Sequence, residues 1–264
     1  MIRTLTLENL PLPKRGGNDD IVRFLFLDLS DQASVKAAAR SCLRLETRLD
    51  VIWHNAAIML APEGSVSTEG HELTFATNVL GPFLLQHFLT PLLLETVERN
   101  KSSKGAVRSC SAGSGASVQP PGDDGVLWDS WALPGSEFAG LKGRTARYMQ
   151  SKACNAILAS EMAKRHPALI SSAFNPGALR TDIARHAPGI LAKLHYFISY
   201  PPRLGAMTEL YSGFAEDVAN NNGCFVVPWG AIGTTVPKVT DGIEKRNSDP
   251  RLSNLCEKLV RDYY

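Results

Sequence analysis

Apolar and polar positions along this chain follow two periods, one typical of strands and one typical of helices. Short apolar runs predict buried strands at residues 21–27, 49–54, 106–110, 170–174 and 224–227. Longer stretches with apolar residues at helical intervals predict helices at residues 34–45, 71–94 and 145–166. Strands that alternate with such helices favour a parallel sheet that is covered by helices on both faces.

The remaining segments complete a single α/β domain over residues 1–264. Residues 1–20 lack a strand or helix pattern, so we expect an irregular N-terminal tail there. Residues 116–143 are rich in Gly, Pro and Asp and are also expected to be irregular, with a local strand at residues 125–129. No internal repeat divides the chain into further domains.

Polar residues follow the predicted strands at the points where they end. Asp28, Asn55, Ser111 and Asn175 each stand directly after an apolar run, or within one residue of it. Because the carboxyl ends of parallel strands meet at one edge of a sheet, and ligands bind there, we expect these side chains to lie near a common site.

The segment around Tyr148 and Lys152 is the clearest candidate for chemistry. It reads as a helix without internal Pro or Gly, and a spacing of four places both side chains on one helix face. A nearby cation favours the phenolate and lowers a tyrosine's pKa toward the range in which it can exchange protons with a substrate. The alternative interpretation is an ordinary surface pair, because Tyr and Lys at this spacing are common in helices.

Composition excludes several other classes of function. The net charge is +2 and the basic residues are scattered, which does not favour a nucleic-acid or anionic-membrane partner. Five dispersed cysteines indicate reduced thiols, and the histidines lack ligand spacing, so we expect neither a disulfide framework nor a metal site. The apolar stretch at residues 79–94 is interrupted by polar residues and prolines and predicts a buried helix rather than a transmembrane segment. With no apolar signal region in the first twenty residues, we expect a soluble, cytoplasmic protein.

Six motifs in order make the chain resemble a short-chain dehydrogenase/reductase, of the retinol-dehydrogenase-like kind found in fungal secondary metabolism. They are Asp28 in Leu-Asp-Leu-Ser, His54-Asn55-Ala56-Ala57, Asn78 in Thr-Asn-Val-Leu-Gly, Ser111, Tyr148 with Lys152, and Pro176-Gly177 followed by Thr181. The resemblance implies a Rossmann-like doubly wound parallel sheet. It also implies an NADP-dependent oxidoreductase, or an NAD-dependent one, that interconverts a ketone and a secondary alcohol.

The resemblance also implies roles for the matching residues. Tyr148 would be the proton donor, Lys152 its partner and the ligand of the nicotinamide ribose, and Ser111 the donor that orients the carbonyl. Ser109 and Ser114 remain alternatives to Ser111, because a small change of register would exchange them. The resemblance further implies that Asn78 takes part in a water-mediated proton relay and that Asp28 contacts the adenine. It also implies that Asn55 lies beside the adenosine ribose and that Gly177 and Thr181 pack against the nicotinamide.

One family motif is missing from the sequence. Members begin with a strand followed by Thr-Gly-x-x-x-Gly-x-Gly, whose helix N-terminus binds the cofactor pyrophosphate. Only an isolated Gly16-Gly17 pair stands near the start of this chain. We therefore expect an N-terminally truncated domain, from a gene model that starts late or a damaged product. A third possibility is a reduced sheet in which the strands at 21–27 and 49–54 pair directly.

Two further expectations concern partners. Residues 183–204 are rich in apolar side chains and predict a substrate lid, which favours a small lipophilic substrate; the same stripe would also suit a subunit interface. The resemblance implies a homodimer or homotetramer. The rival hypothesis is a non-catalytic remnant that acts as an interaction subunit through the helix containing Tyr148.

Overall fold

The computed structural model describes residues 23–100, 107–113, 119–128 and 139–264. The predicted tail at residues 1–20, the first two residues of the run at 21–27, and Ser114 lie outside these ranges. Within them, no helix combines the length and the apolar character needed to cross a bilayer.

A five-stranded sheet forms the centre of the described structure, with strand order β1-β2-β3-β4-β5. The strands are β1 (Val51–His54), β2 (Arg108–Ala112), β3 (Ile170–Phe174), β4 (Phe225–Val227) and β5 (Ala231–Gly233). Strands β1 to β4 pair in parallel, and β5 joins the edge in the antiparallel direction. The predicted α/β class with a parallel sheet is therefore confirmed, and β5 is an element that the sequence pattern did not predict.

Helices flank this sheet, and each of the three predicted helical segments is helical over most of its length. They are α1 (Gln32–Leu45), α2 (Leu73–Phe75), α3 (Gly81–Arg99), α4 (Gly140–Arg165), α5 (Gly189–Ile198), α6 (Pro202–Phe214), α7 (Glu216–Asn220), α8 (Pro237–Lys245) and α9 (Ser248–Val260). A π-helical segment, Ala76–Leu80, joins α2 to α3, so the helix predicted at 71–94 is continuous from Leu73 to Arg99.

Both faces of the sheet are covered, as expected for side chains that alternate along each strand. On one face, Cys110, Phe174 and Val226 pack against residues of α6 and α7, with Trp53 contributing from β1. On the other face, Ala173 and Phe225 pack against Ala156 and Ala159 of α4. Helix α4 also packs on α9, so the C-terminal part of the chain covers the outer side of the α4 helix.

The strand predicted at residues 21–27 is wrong over its described part. Residues 23–27 have no regular structure, and the side chains of Phe24 and Phe26 are exposed. An apolar run becomes a strand only when a neighbour supplies backbone hydrogen bonds and burial, and none of the five strands pairs with this one. The proposed direct pairing with the strand at 49–54 is likewise not found. The local strand predicted at 125–129 is not formed over its described residues, 125–128.

Candidate active site

A cleft of about 590 Å³ lies beyond the carboxyl ends of β1 and β3. It contains five of the residues that the sequence analysis assigned to a cofactor or to catalysis. These are Asn55, which follows β1, Tyr148 and Lys152 from α4, and Gly177 and Thr181, which follow β3. Asn175, singled out only for its place after β3, lines the cleft as well.

Tyr148 and Lys152 stand one turn apart on α4 and face the cleft together. The ammonium nitrogen of Lys152 lies 5.9 Å from the centroid of the Tyr148 ring. Tyr148 is half-buried, whereas the side chain of Lys152 is buried, with 2% of its surface exposed. Burial lowers the pKa of Lys152 from 10.5 to about 8, because the charged form loses its hydration in the interior. The cleft thus combines a phenol with a weakly hydrated cation.

Asn78 connects the helix of Tyr148 to the wall of the cleft. Its side-chain oxygen accepts a hydrogen bond from the backbone N–H of Ile58 at 2.9 Å. Its side-chain nitrogen donates to the Ile58 carbonyl at 2.9 Å and to the Ser151 hydroxyl at 3.0 Å. Ser151 in turn donates to the carbonyl of Tyr148 at 2.7 Å. Asn78 therefore joins the loop after β1, whose Ala57 and Met59 line the cleft, to the turn of α4 that carries Tyr148.

The backbone around Asn78 departs from a regular α-helix. Asparagine is a poor helix former, so its position in the middle of a helical segment calls for a structural or functional reason. The structure places Asn78 in the π-helical segment Ala76–Leu80. Single π-helical turns often occur at functional sites, because they shift one residue of a helix toward a neighbouring element.

A second attachment of α4 involves a buried ion pair. The guanidinium of Arg147 lies 3.7 Å from the carboxylate of Glu72, and both side chains are almost fully buried. Glu72 also accepts hydrogen bonds from the backbone N–H groups of Thr74 and Phe75, at 3.0 and 2.8 Å. The carboxylate thus caps α2 while it contacts α4, which aligns the two helices next to the π-helical segment.

Arg144, one turn before Tyr148, joins three segments around the cleft. Its guanidinium donates to the carbonyls of Leu60 and Ala61 in the loop after β1, the latter at 2.7 Å. It also donates to the carbonyl of His186, at 3.0 Å, in the predicted lid. The sequence analysis missed Arg144, although its spacing of four from Tyr148 was a usable signal. It also missed His195 and Glu209, which line the cleft from α5 and α6.

The turn after β3 depends on glycine. Gly177 has a positive φ of 83°, and an added Cβ would lie 2.9 Å from the Trp229 ring. Glycine is the residue that adopts this conformation and this close approach without strain. The Gly177 backbone N–H donates to the side-chain oxygen of Asn175 at 2.9 Å, which closes the turn. The Pro-Gly segment therefore forms a tight turn, and this turn lines the cleft.

Ser111 is not among the residues that line the cleft with Tyr148. Strand β2 continues to Ala112, two residues beyond the predicted end, so Ser111 lies within the strand. Side chains alternate along a strand, which places Ser111 on the same face as Ser109, toward α3 and α4. Ser111 lines a different cavity, of about 420 Å³, between these helices. Ser109 is buried beside the same cavity, and its hydroxyl donates to Gln86 at 2.9 Å.

Polar side chains at the base of the cavity between α3 and α4 hydrogen-bond to one another. The side-chain oxygen of Gln86 lies 2.8 Å from the Nε2 atom of His54 and accepts the hydrogen bond from Ser109. The Gln86 side-chain nitrogen donates to Thr90 at 3.0 Å. Burial lowers the pKa of His54, which favours the neutral imidazole. This network pairs buried polar groups with one another.

Asp28 is not among the residues that line the cleft; it organises the start of α1. One oxygen of its carboxylate accepts hydrogen bonds from the backbone N–H of Ser30 at 2.9 Å and from the Ser30 hydroxyl at 2.7 Å. The Asp28 backbone N–H donates to the hydroxyl of Ser34 at 3.0 Å. The helix cap itself is Asp31, which accepts from the N–H groups of Ala33 and Ser34. These contacts give Asp28 a structural role in the turn. The resemblance implies an adenine contact in addition to this role.

Over the described ranges, no group of three or more His, Cys, Asp or Glu side chains is placed to hold a metal ion. The charged residues that line the cleft, among them Lys152, Asp182, Arg185 and Glu209, carry both signs. Burial raises the pKa of Glu209, which favours its neutral form near the cleft.

Comparison with known proteins gives a consistent group of relatives. No protein-family model matches the chain. Two curated short-chain dehydrogenases/reductases of Armillaria gallica are 32% identical over 96% of this chain and 34% identical over 91% of it. The matches span 77% and 74% of those proteins. A third, from Phomopsis amygdali, is 34% identical over 78% of this chain and 62% of its own length.

Solved structures with the same fold include two carbonyl reductases. The NADPH-bound carbonyl reductase from chicken fatty liver has a TM-score of 0.52, with 22% identity over 79% of this chain and 75% of that one. The carbonyl reductase Sniffer of D. melanogaster has a TM-score of 0.55, with 18% identity over 79% of this chain and 76% of that one. At this level of identity, the similarity establishes the fold.

Proposed function

Because this chain belongs to the short-chain dehydrogenase/reductase family, we propose that its cleft interconverts a ketone and a secondary alcohol on a small lipophilic molecule with a nicotinamide cofactor. NADP is proposed ahead of NAD. The observation that carries the proposal is the meeting of Tyr148 and the buried Lys152 in one cleft with Asn55, Gly177 and Thr181. Among the described residues, no tyrosine lines the cavity between α3 and α4.

Tyr148 moves the proton in this proposal. In the reducing direction, its hydroxyl donates a proton to the carbonyl oxygen of the ketone as that oxygen becomes an alkoxide. In the oxidising direction, the phenolate accepts the proton from the alcohol. General acid–base catalysis of this kind contributes about 10²- to 10⁴-fold to a rate. A donor must be able to ionise near neutral pH to act in both directions, and an unmodified phenol ionises only near pH 10.

Lys152 supplies the electrostatic condition for that ionisation. A cation beside a phenol stabilises the phenolate, and the attraction is stronger where water is excluded. The buried position of Lys152, 5.9 Å from the ring centroid, supports this role. Asn78 hydrogen-bonds to Ile58 and to Ser151, and Ser151 hydrogen-bonds to the Tyr148 carbonyl. These bonds hold the turn of α4 that carries the phenol in place relative to the loop after β1.

The residues at one end of the cleft fit a nicotinamide cofactor, which would supply or accept the hydride. Lys152 would hold the ribose hydroxyls, Asn55 would stand beside the adenosine ribose, and Gly177 and Thr181 would pack on the nicotinamide. Gly177 lines the cleft, and the Trp229 ring packs so close to it that the turn has no room for a side chain. The adenine end fits less well, since the Asp28 carboxylate is engaged by Ser30.

The substrate class rests on the walls of the cleft and on the relatives. Met59, Met149, Leu179 and Ile183 line the cleft and offer apolar contacts to a lipophilic ketone. The relatives named above are fungal proteins, which supports a place in fungal secondary metabolism. Ser111 lines the other cavity, between α3 and α4, so this proposal does not assign it the contact with the substrate carbonyl.

A label-transfer experiment tests the proposal. The chain is extended at its N-terminus with a strand, a Thr-Gly-x-x-x-Gly-x-Gly loop and a helix of the kind that the family resemblance implies, and it is incubated with deuterium-labelled NADPH and a panel of lipophilic ketones. We expect deuterium at the carbinol carbon of at least one product alcohol, detected by mass spectrometry. The matched control is the Tyr148→Phe variant of the same protein. Cofactor binding without label transfer to any ketone would favour the rival interpretation, a non-catalytic interaction subunit.

A further inference from the structure

Leu60, in the loop after β1, has a backbone conformation that leucine seldom adopts. Its φ is 56°, in the left-handed region, where the Cβ atom of most residues crowds the following carbonyl oxygen. The residue is buried, with 7% of its surface exposed. Residues in such conformations are kept there by the surrounding structure, often next to a functional site. Leu60 therefore needs a contact that stabilises this part of the loop.

The guanidinium of Arg144 provides that contact. Its Nη2 atom donates to the Leu60 carbonyl, and its Nε atom donates to the Ala61 carbonyl at 2.7 Å. Ala61 is buried as well, and no backbone N–H of the described residues donates to either carbonyl. A buried carbonyl without a hydrogen-bond donor is unfavourable, so the Arg144 side chain allows this part of the loop to stay in the interior.

The same nitrogen of Arg144 also binds the predicted lid, residues 183–204. Its Nη2 atom donates to the carbonyl of His186 at 3.0 Å, in addition to the Leu60 carbonyl. His186 lies before α5, near the start of the lid. The far end of the lid is held separately, by Arg180, which donates to the Ser199 carbonyl at 2.7 Å. Arg144 thus joins the start of the lid to the loop after β1.

The two segments that Arg144 holds contribute opposite apolar contacts to the cleft. Met59 directly precedes the first of the loop carbonyls, and Ile183 lies three residues before the lid carbonyl. Both side chains line the cleft. Arg144 itself is half-buried and stands on α4 one turn before Tyr148. Its hydrogen bonds therefore fix two walls of the cleft relative to the helix that carries the phenol.

We propose that Arg144 is a positioning residue that sets the width of the cleft, because it holds the loop after β1 and the lid at fixed distances from Tyr148. Without its guanidinium, the carbonyls of Leu60 and Ala61 regain a partner by moving out to water, and Leu60 can leave the left-handed region. The cleft then opens on the side of the loop. The part of this inference that concerns turnover rests on the function proposed above, whereas the part that concerns the two segments does not.

Amide hydrogen exchange of the 264-residue chain, followed by mass spectrometry, tests the part that concerns the two segments. Ile58 in the loop, and Arg185 and Ala187 in the lid, donate backbone hydrogen bonds whose opening this exchange reports. Arg144→Met keeps an unbranched apolar side chain and removes the donors. We expect exchange to rise about tenfold or more in residues 57–61 and 183–198, while strands β2 and β3 exchange as in the unmodified chain.

Two other arginines provide matched controls. Arg180→Met removes the other anchor of the lid, so it should raise exchange in the lid and not in the loop after β1. Arg165→Met removes a guanidinium at the far end of α4, where it pairs with Glu161 and Glu257, and should change neither segment. The proposal would be overturned if Arg144→Met left exchange in the loop unchanged, or if it raised exchange equally throughout the sheet.

Steady-state kinetics of the N-terminally extended protein test the part that concerns turnover, with the ketone that gains most deuterium in the experiment above. Arg144→Met should raise the KM for this ketone about tenfold or more, because the walls that contact it are no longer held. It should lower kcat about threefold or less, because Tyr148 and Lys152 keep their places on α4. A large loss of kcat with an unchanged KM would contradict the positioning role. If no ketone gains deuterium, the proposed function fails, and hydrogen exchange still decides whether Arg144 holds the two segments.

Discussion

Helix α4 forms a wall of two cavities, and they differ in how their polar groups are paired. On the cleft side, Lys152 is buried beside Tyr148, and burial lowers its pKa to about 8. Toward α3, the polar groups of the other cavity satisfy one another, with Gln86 between His54, Ser109 and Thr90. Both cavities contain polar residues from strand ends, so a polar cluster alone does not identify an active site. A buried charge that can change its protonation state is the more specific sign.

The first prediction is the largest and concerns the cleft. In the N-terminally extended protein, Tyr148→Phe should reduce kcat by about 10²-fold or more, because the phenol hydroxyl is needed only in the transition state. NADPH affinity, measured by nicotinamide fluorescence, should stay near that of the unmodified protein. An unchanged kcat would remove Tyr148 from the mechanism and with it the distinction between the two cavities.

The second prediction is that the 264-residue chain binds NADPH with a dissociation constant in the millimolar range or weaker. The sequence contains no Thr-Gly-x-x-x-Gly-x-Gly motif to meet the pyrophosphate with backbone N–H groups. Loss of several charge-assisted hydrogen bonds, each worth about 1.5–3 kcal/mol, weakens a micromolar site about a thousandfold or more. Calorimetric titration measures the constant, and the extended protein is the comparison. A low micromolar value for the 264-residue chain would show that the cleft alone suffices.

The third prediction uses the burial of Lys152. Because its folded pKa is about 8, below the ordinary value of 10.5, the protonated side chain destabilises the folded state at neutral pH. The unfolded chain binds more protons between these two values, so stability should rise with pH across this window. Lys152→Met should remove this dependence and raise the free energy of unfolding at neutral pH by up to about 3 kcal/mol.

Denaturant unfolding at several pH values measures the effect of Lys152→Met. The control is Lys142→Met, which changes an exposed lysine of the same helix and should leave the pH dependence as it is. If the free energy of unfolding of Lys152→Met depends on pH as it does in the unmodified chain, burial of the ammonium does not destabilise the folded state. The electrostatic role proposed for Lys152 would then be wrong.

The fourth prediction concerns the other cavity. Gln86→Leu should lower the free energy of unfolding by about 1–3 kcal/mol, because it leaves His54 and Ser109 without their acceptor. Gln32→Leu is the matched control: this glutamine is also buried, but its side-chain amide has no hydrogen-bond partner within the described ranges. That substitution should be neutral or stabilising. Equal losses in both variants would mean that the Gln86 network contributes nothing specific.

The fifth prediction has the smallest expected effect and decides the role of Ser111. Because Ser111 faces the cavity between α3 and α4, Ser111→Ala in the extended protein should change kcat by about twofold or less. Removal of a donor to a developing oxyanion costs about 10²-fold or more in kcat. A loss of that size would show that Ser111 reaches the substrate, as the sequence motif implied, and that the two cavities are not functionally separate.

The local sequence pattern predicts much of this structure. The helix around Tyr148 and Lys152, the strands at β1, β3 and β4, and the glycine turn at Gly177 were all predicted, because each depends on periodicity or on one residue's conformational range. Asparagine is unfavourable in the middle of a regular α-helix, and the structure places Asn78 in a π-helical segment. The run at residues 21–27 failed as a strand, because the same apolar pattern needs a pairing neighbour that the described sheet does not offer it.

The sequence by itself determined the family, the α/β class and the spacing that puts Tyr148 and Lys152 on one helix face. Only the tertiary structure decided that Lys152 is buried, since burial depends on what α4 packs against. It also decided which cavity Ser111 faces, because two more residues of β2 extend the alternation of side chains past the predicted strand end. The physical reason is common to both: periodicity sets which residues share a face, whereas packing sets whether that face meets water, apolar side chains or a partner.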